Sequence, residues 1–273
     1  MRLAIRHVTR YRFDHPLAHG LQRLRLTPKE THGQSISAWS MELEGVRVEV
    51  EHDDHNNNHV TLISVVPGAT DVVITCTGVV DTADRAGVVG PHTGRLPLWV
   101  FTCQSPLTRP GARLKALVSA VEREHGRTDA LGLLHALSDT VHATVAYAPG
   151  HTDAATAAEE ALGAGKGVCQ DHAHIFIGAA RALGIPARYV SGYLMMNDRI
   201  DQEAGHAWAE AHVDGLGWVG FDVSNGISPD ARYVRVASGR DYAEAAPVTG
   251  ISFGGGQSTL AVSLAVEQQA VQQ

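Results

Sequence analysis

Cys169 lies at the start of a predicted helix, a position that suits a sulfur nucleophile. Apolar residues recur at helical spacing from there to Leu183, and Gly184 and Pro186 then end the helix. Backbone N–H groups at a helix start lack partners within the helix, and together with the positive end of the helix dipole they stabilise a thiolate. The sequence therefore predicts that Cys169 acts as a nucleophile at neutral pH.

A histidine and an aspartate follow Cys169 on two predicted strands. Residues 205–213 and 218–222 alternate as strands do, and the segment 214–217 between them has the composition of a hairpin turn. We expect these antiparallel strands to bring His206 and Asp222 together, although alternation alone leaves the register open. The order Cys, His, Asp is that of a catalytic triad. His206 would move the thiol proton to the leaving group, and Asp222 would fix the imidazole tautomer and stabilise the imidazolium.

The segments around these three residues also resemble a known family. GVCQDHAHIFIGAARALGIPARYVSGY (167–193) and GHAWAEAHVDGLGWVGFDVSNG (205–226) are similar to the core of bacterial transglutaminase-like proteins, which share the papain-like cysteine-proteinase fold. The opening MRLAIRHVTRYRFDHPLAHGLQRLRLTP resembles the β-rich N-terminal domain of one branch of that family, as do residues 145–152 and 239–242. The resemblance implies that Cys169 is the nucleophile, His206 the base and Asp222 the orienting residue. It also implies that residues 240–242 border the cleft.

Two positions depart from the family pattern. His172 stands where an aromatic residue is expected, and Val223-Ser224 stands where Pro-Thr commonly follows the aspartate. The first departure puts a titratable ring one turn from the thiol, and the second affects how Asp222 is held. All three members of the triad are nevertheless present.

Acyl transfer through a thiolate also needs donors for the developing oxyanion. The N–H of Cys169 is one candidate. Papain-like proteases add an upstream Gln, but Gly163 occupies that neighbourhood here. Transglutaminases use an upstream aromatic, which Tyr147 could supply, although Tyr147 could equally cap the core. We also expect Gln170 and Trp208 to line the substrate, with Trp208 shielding the imidazole from water.

Two other segments resemble ligand-binding motifs, one for phosphate and one for a metal ion, but neither has the residues that its motif requires. Residues 163–167 look like a phosphate loop, yet Glu160 occupies the first glycine position and Gly167 follows the lysine where Ser or Thr is required. These glycines more plausibly let the backbone pass close to the nucleophile. The segment HDDHNNNH (52–59) has neither zinc nor calcium spacing, so we predict a solvated turn.

A metal-binding or redox role for the cysteines is a less favoured hypothesis than catalysis. Cys169, His172 and His174 are spaced so that they lie on partly different helix faces, and a complete site would need further ligands. We expect His174 to hydrogen-bond inside the core. Cys76 and Cys103 have no Cys-x-x-Cys spacing and are predicted to be reduced, partly buried thiols. The predicted chemistry requires no metal and no cofactor.

Composition limits the partners and the compartment. The net charge of −7 and the lack of a basic cluster with interleaved aromatics argue against nucleic acid as the main partner. No apolar run is long enough to span a membrane, and residues 1–7 look like a first strand rather than a signal peptide. We therefore predict a cytoplasmic protein with no membrane partner.

The length of 273 residues and the patterning predict two domains and a tail. Residues 1–102 alternate as strands and predict a β-rich domain, either a sandwich or an open barrel. Residues 103–267 predict helices first and strands afterwards, which is an α+β core with C-terminal strands. Residues 268–273 are predicted to fray. With the resemblance, the fold class is a papain-like, transglutaminase-type core preceded by an all-β domain.

The predicted function is acyl transfer from an amide through a thioester on Cys169. The amide is a peptide bond or a glutamine side chain, so the expected partner is a protein or peptide substrate. Hydrolysis, as in a protease or amidase, and transfer to an amine both remain open. Two alternatives are a catalytically silent binding module, and a redox or metal sensor that uses Cys169. The oligomeric state cannot be read from the sequence.

Overall fold

The computed structural model describes residues 1–269, which form sixteen strands and five α-helices. The first nine strands are β1 (Arg2–Phe13), β2 (Leu17–Leu24), β3 (Gln34–Glu44), β4 (Val46–Asp53), β5 (His59–Val65), β6 (Asp71–Thr82), β7 (Val88–Gly90), β8 (Ala146–Tyr147) and β9 (Lys166–Gly167). The other strands are β10 (Ala187–Leu194), β11 (Asp201–Gln202), β12 (His206–Val213), β13 (Gly217–Phe221), β14 (Tyr233–Gly239), β15 (Val248–Gly254) and β16 (Ser258–Gln268). The helices are α1 (Ala112–His125), α2 (Ala130–Thr144), α3 (Ala158–Ala164), α4 (Cys169–Ala182) and α5 (Tyr242–Ala245), and a 3-10 helix spans Leu98–Thr102.

Helix α4 is the centre of the second half of the chain. It packs against α1, α2 and α3 and, on its other side, against an antiparallel sheet of order β14-β10-β12-β13-β7. Ala207, Ala209 and Ala211 of β12 are buried in the same cluster as the apolar residues of α4. Small side chains at alternate positions give the helix room to lie close to the sheet. The predicted helix is confirmed and begins at Cys169, but the expectation of one buried face is wrong, because every residue from Asp171 to Arg181 is buried between the other helices and the sheet.

The other helices follow their predicted signals. Apolar residues recur at helical spacing over 114–121 and 131–145, and these segments form α1 and α2. The Asp129 side chain accepts the Gly132 N–H at 2.9 Å and so caps α2. The Ala-rich segment 154–162 is helical only from Ala158. A turn precedes it, in which Asp153 accepts the N–H of Ala155. Helices on a sheet, after a run of strands, confirm the α+β class.

The N-terminal strands form two antiparallel sheets that enclose a second core. One has the order β11-β16-β1-β6-β3 and the other β15-β2-β5-β4. Leu17 and Leu24 of the smaller sheet cluster with Ile74 and Cys76 of the larger one. The alternation of buried and exposed residues along β1 is what a strand with one packed face requires. This is the sandwich that the sequence predicted as one of two possibilities.

The predicted domain boundaries differ from the structure at both ends. β7, expected in the N-terminal domain, pairs with β13 of the core sheet. β15 and β16, expected in the core, instead pair with β2 and β1. Gln268, predicted to fray, pairs with Leu3 at the end of β16, and residues 270–273 of the predicted tail lie outside the described residues. Alternation identifies a strand but carries no information about its partner, which explains these errors.

Two side-chain amides join the N-terminal sheets to the free edge of β14. Gln34 donates to the Arg235 carbonyl and accepts the Arg235 N–H, each at 2.8 Å. Asn58 makes the same pair of bonds with Ser238, also at 2.8 Å. An edge strand has unpaired N–H and C=O groups, and these two amides satisfy them as a neighbouring strand would. The two halves of the molecule are therefore held by specific polar contacts.

The segment 52–59 forms a turn, but not the fully solvated turn that was predicted. Asp54 accepts the backbone N–H groups of Asn56 and Asn58 at 2.9 Å, which is ordinary Asx-turn chemistry. Asn58 is buried because its amide bonds to Ser238. The loop therefore serves the contact between the two halves of the chain, a role that its composition alone does not indicate.

The cysteines outside α4 differ from the expectation of partial burial. All three cysteines are free thiols; Cys76 is fully buried, and Cys103 is exposed. Burial raises the pKa of Cys76 to about 12. Over residues 1–269 the structure contains no helix with the length and apolar content needed to cross a bilayer.

Candidate active site

Cys169 is the first residue of α4, and side-chain contacts of the residues around it fix the start of the helix. Asp171 accepts the Val168 N–H at 2.7 Å and the Thr152 hydroxyl at 2.7 Å, which caps the helix start. Gly167 lies against Asp171, since a Cβ added to Gly167 would come within 2.7 Å of the Asp171 Cβ. The predicted role of the preceding glycines is therefore met at Gly167, where the backbone passes close to the helix.

His206 and Asp222 meet as the hairpin predicted. Ala209 pairs with Phe221, so His206 opens β12 while Asp222 directly follows β13. The imidazole Nε2 lies 2.6 Å from Asp222 Oδ2. Cys169 and His206 line the same cavity, and Cys169 also contributes to raising the pKa of the ring. Because Nε2 is engaged by the carboxylate, Nδ1 is the nitrogen left for the thiol.

The protonation of this pair follows from its surroundings. Burial is the largest influence on His206 and lowers its pKa, but hydrogen bonds to Asp222 and Cys169 outweigh it and raise the pKa to about 10. Burial likewise raises the pKa of Asp222, yet the hydrogen bond and charge of His206, with bonds from Tyr233 and Ser224, lower it to about 2. At neutral pH the pair is an imidazolium facing a carboxylate.

Asp222 is held by donors that the sequence reasoning did not identify. Its Oδ2 accepts the Tyr233 hydroxyl at 2.6 Å and the Asn225 side-chain amide at 2.7 Å, while Oδ1 accepts the Ser224 hydroxyl at 2.7 Å. Asp222 is completely buried, so these bonds replace its lost hydration. Ser224, one of the two residues at the departure from the family pattern, takes part in holding the carboxylate. Tyr233 lies eleven residues away on β14, and no local spacing pointed to it.

Trp208 lies beside the imidazole rather than in the pocket that contains the thiol. Its ring is nearly parallel to that of His206, with centroids 6.3 Å apart, and meets Tyr233 edge-on at 5.5 Å. Trp208 is buried, and the residues that line the cavity around Cys169 do not include it. It therefore covers one side of the imidazole, as predicted, without forming the wall of the substrate pocket.

Tyr147 lies on the surface and is not among the residues that line the cavity around Cys169. It pairs with Gly167 in the short parallel ladder of β8 and β9, and it is 57% exposed, so it does not cap the core. Burial, and then the charges of Cys169 and Asp222, raise its pKa. Gln170 lines the pocket, and its amide donates to the Ala154 carbonyl at 3.4 Å.

The two histidines of α4 are tied to the backbone. His172 is buried, and its ring nitrogens lie 2.9 and 2.8 Å from the carbonyls of Val168 and Val145. His174 accepts the Tyr242 N–H at 3.1 Å through Nε2, which is consistent with the predicted core role, and burial lowers its pKa to about 3. No group of three or more His, Cys, Asp or Glu side chains in the described part of the chain could hold a metal.

A cavity of about 240 Å³ opens beside Cys169 and His206. Its walls come from both halves of the chain. His7, Arg25 and Leu26 belong to the N-terminal segment, and a second set of residues belongs to the core and to the segment between α5 and β15. That second set includes Tyr189, Tyr193, Val236, Tyr242 and Pro247. Of residues 240–242, only Tyr242 borders the cavity. Arg240 bonds to Glu244, and Asp241 caps α5.

A thiol at the start of a buried helix and an imidazole–carboxylate pair on an antiparallel sheet define the papain-like cysteine-proteinase fold. Residues 119–223 match the transglutaminase-like superfamily, and residues 3–81 match the bacterial transglutaminase-like N-terminal region. The chain therefore combines a transglutaminase-like core with a bacterial transglutaminase-like N-terminal region. The resemblance noted in the sequence is confirmed.

Relatives of similar length share this organisation. Uncharacterized protein ML0607 of Mycobacterium leprae (strain TN) is 27% identical over 288 residues, which cover 98% of this chain and 99% of that protein. Uncharacterized protein Rv2569c of Mycobacterium tuberculosis (strain ATCC 25618 / H37Rv) is 28% identical over 278 residues, with 92% and 88% covered. A crystal structure named "Putative Cysteine Protease from Cytophaga hutchinsonii" has a TM-score of 0.76 at 23% identity and covers 100% of this chain and 92% of its own, which confirms the fold.

Proposed function

We propose that the protein is a cysteine acyl-transfer enzyme that acts on amides of protein or peptide substrates. The observation that carries the proposal is the cavity that Cys169, at the start of α4, lines together with His206, whose ring is paired with the buried Asp222. An imidazolium beside the thiol stabilises a thiolate at neutral pH, which is the reactive form of a cysteine nucleophile. The proposal includes a cytoplasmic location, without a nucleic-acid or membrane partner.

The reaction proceeds in two halves. The Cys169 thiolate attacks the amide carbonyl, and the negative charge collects on the carbonyl oxygen. The Cys169 N–H and the Tyr147 hydroxyl are the candidate donors to that oxygen. The C–N bond then breaks as the His206 imidazolium gives its proton to the leaving amine or ammonia, which leaves a thioester on Cys169.

The acceptor in the second half decides the outcome. Water or a primary amine gives a proton to the neutral His206 as it attacks the thioester carbonyl, and the C–S bond breaks to restore the thiolate. Water yields a carboxylic acid, as in a protease or amidase, whereas an amine yields a new amide, as in a cross-linking enzyme. Both acceptors are compatible with the same three residues.

The test is a screen of glutaminyl and peptide donors with and without a primary amine. Mass spectrometry should find an acyl adduct on Cys169, and the acid-to-amide ratio of the products identifies the acceptor. We expect Cys169→Ala to lose turnover by about 10⁴-fold or more with an unchanged unfolding midpoint. Cys103→Ala, which removes an exposed thiol, is the matched control. Wild-type turnover that survives in Cys169→Ala would refute the proposal.

The silent binding module and the metal or redox sensor are the competing functions. A binding module has no need of an ion pair beside a thiol, and burying one is costly without a use for it. A metal sensor needs several free ligand atoms. Both ring nitrogens of His172 and Nε2 of His174 bond to backbone groups, which leaves Nδ1 of His174 as the one histidine nitrogen of α4 without a partner among the described residues. Metal analysis of the protein purified without chelator, followed by the labelling of Cys169, separates these functions from the enzyme.

A further inference from the structure

The cavity beside Cys169 is unusual in its charge. Arg25 is the only Lys or Arg among the residues that line it, and the lining contains no Asp or Glu. His7 adds no charge, because burial lowers its pKa to about 4. His206 is balanced by Asp222, and Arg25 is paired with Asp54, which is not in the lining. Apart from His206, Arg25 is therefore the charged side chain of the lining that can face a bound substrate.

The Arg25 guanidinium is held in one orientation, and not all of its N–H groups bond to the protein. The residue follows β2 and is 3% exposed. Its Nε donates to Asp54 Oδ2 at 3.2 Å, and Nη1 donates to the Ala246 carbonyl at 3.4 Å. Asp54 is itself anchored by the turn of residues 54–58, so the guanidinium cannot swing away. Among residues 1–269, Nε and Nη1 have acceptors whereas Nη2 has none, and Arg25 lines the cavity, so Nη2 can donate to a bound ligand.

We propose that Arg25 binds a carboxylate of the acyl donor, so that preferred substrates carry an acidic group close to the acyl carbon that Cys169 attacks. This inference rests on the proposed function and adds the substrate class to it. A guanidinium matches a carboxylate in geometry and charge. A guanidinium offers N–H donors and no acceptor, so it does not bind an ammonium group, and we assign this pocket to the acyl donor rather than to a lysine-type acceptor.

The size of the pocket limits where the carboxylate lies. The cavity of about 240 Å³ is below the range of roughly 300–1,000 Å³ usual for drug-sized ligands. Only a short part of a substrate fits between Cys169 and Arg25. The carboxylate therefore belongs to a residue next to the acyl group. It is either an acidic side chain or the free C-terminus of the donor.

Selective alkylation tests the proposal without a known substrate. The probes are N-iodoacetylglycine and N-iodoacetylglycinamide, which transfer their CH₂ carbon to the Cys169 thiolate with loss of iodide and differ only in a carboxylate. Rate constants are measured by peptide mass spectrometry, and the acid-to-amide ratio at exposed Cys103 of the same molecule is the reference. We expect the ratio at Cys169 to exceed the ratio at Cys103, and Arg25→Gln to lower it by about tenfold or more.

Two further variants control for charge and for folding. Arg25→Lys keeps the charge and should retain a large part of the preference. Arg23→Gln removes a positive charge from an exposed position on β2 and should leave the ratio unchanged. His206 is present in all of these proteins, so its attraction for the acid probe cancels in the comparison.

A third probe, the iodoacetyl derivative of glutamic acid α-amide, carries its carboxylate on a side chain. Faster labelling by this probe than by N-iodoacetylglycine assigns the carboxylate to an acidic side chain, and the reverse order assigns it to a C-terminus. Equal acid-to-amide ratios at Cys169 and Cys103 in the wild type would overturn the proposal even if Arg25→Gln failed to fold. An absence of turnover would instead count against the proposed enzyme and leave this ratio measurable.

Discussion

At the scale of single residues, the site depends on how Asp222 is held. Three donors converge on its Oδ2, from His206, Asn225 and Tyr233, and Ser224 bonds to Oδ1. A buried carboxylate with this many donors stays ionised and keeps one orientation. The imidazole is thereby fixed with Nε2 toward Asp222, and Nδ1 is the nitrogen that remains for proton transfer. The chemistry assigned to three residues is therefore supported by at least three more.

Removing the charge of Asp222 should affect the reaction far more than removing one of its donors. We expect Asp222→Asn to lower kcat/KM by about 10³–10⁴-fold, because the imidazole loses its anionic partner and its tautomer. Tyr233→Phe keeps the ring against Trp208 and should cost about tenfold. Steady-state kinetics on a substrate from the donor screen gives both numbers. Equal losses in the two variants would show that Tyr233 acts on more than the carboxylate.

The raised pKa of His206 also makes folding stability depend on pH. The folded pKa of about 10 lies above the ordinary value of 6.5, so the protonated ring stabilises the folded state. This contribution is complete below pH 6.5 and is lost as the pH rises through about 10. We expect the free energy of unfolding of wild type relative to His206→Gln to decrease over that window in urea titrations. A difference that grew with pH would contradict the assigned ion pair.

At the scale of elements, the start of α4 carries the nucleophile because Gly167 can lie against Asp171. A methyl group at Gly167 would stand 2.7 Å from the Asp171 Cβ and 2.8 Å from its Oδ2, so either the cap or the chain before Cys169 must shift. The position of the thiol thus requires a residue without a side chain at position 167, two residues before Cys169.

Gly167→Ala should therefore slow the alkylation of Cys169 by iodoacetamide by about tenfold, since the helix start and the thiol are displaced from His206. Gly163→Ala is the matched control, because a Cβ there meets only the end of the Arg113 side chain and favours helix α3. Labelling rates resolved by peptide give the result. A Gly167→Ala protein that labels as fast as Gly163→Ala would show that the helix start tolerates the shift.

At the scale of the whole molecule, the N-terminal sheets are part of the site. They supply His7, Arg25 and Leu26 to the cavity, and their strands are completed by the C-terminal β15 and β16. Gln34 and Asn58 then bond this half of the molecule to the edge of β14. A change that loosens this junction should therefore alter both stability and the shape of the pocket.

Asn58→Ala should lower the free energy of unfolding by about 2–4 kcal/mol, because the buried N–H and C=O of Ser238 lose their partners together. Urea denaturation measures this loss. The rate at which buried Cys76 is alkylated in native conditions should rise with it. Asn197→Ala removes the same side chain from an exposed bend and should change neither quantity. A stable Asn58→Ala protein would mean that the amide pairing contributes little to the junction.

The sequence by itself determined the features that depend on near neighbours in the chain. The helical spacing after Cys169, the hairpin composition between His206 and Asp222, and the alternation of the N-terminal strands were enough to predict an α+β core after a β-rich domain and to propose the triad. Each of these signals is local, since a helix face, a turn and a strand face are set by residues a few positions apart. The papain-like class came from the resemblance to a known family.

Only the tertiary structure decided which distant segments meet. Tyr233 at Asp222, Arg25 in the wall of the pocket and β16 beside β1 are contacts between residues far apart in the chain. A strand's alternation is the same whichever partner it pairs with, and a buried arginine looks like any other arginine in a sequence. These contacts are fixed by the packing of both halves of the molecule at once, and they set the pocket and its charge.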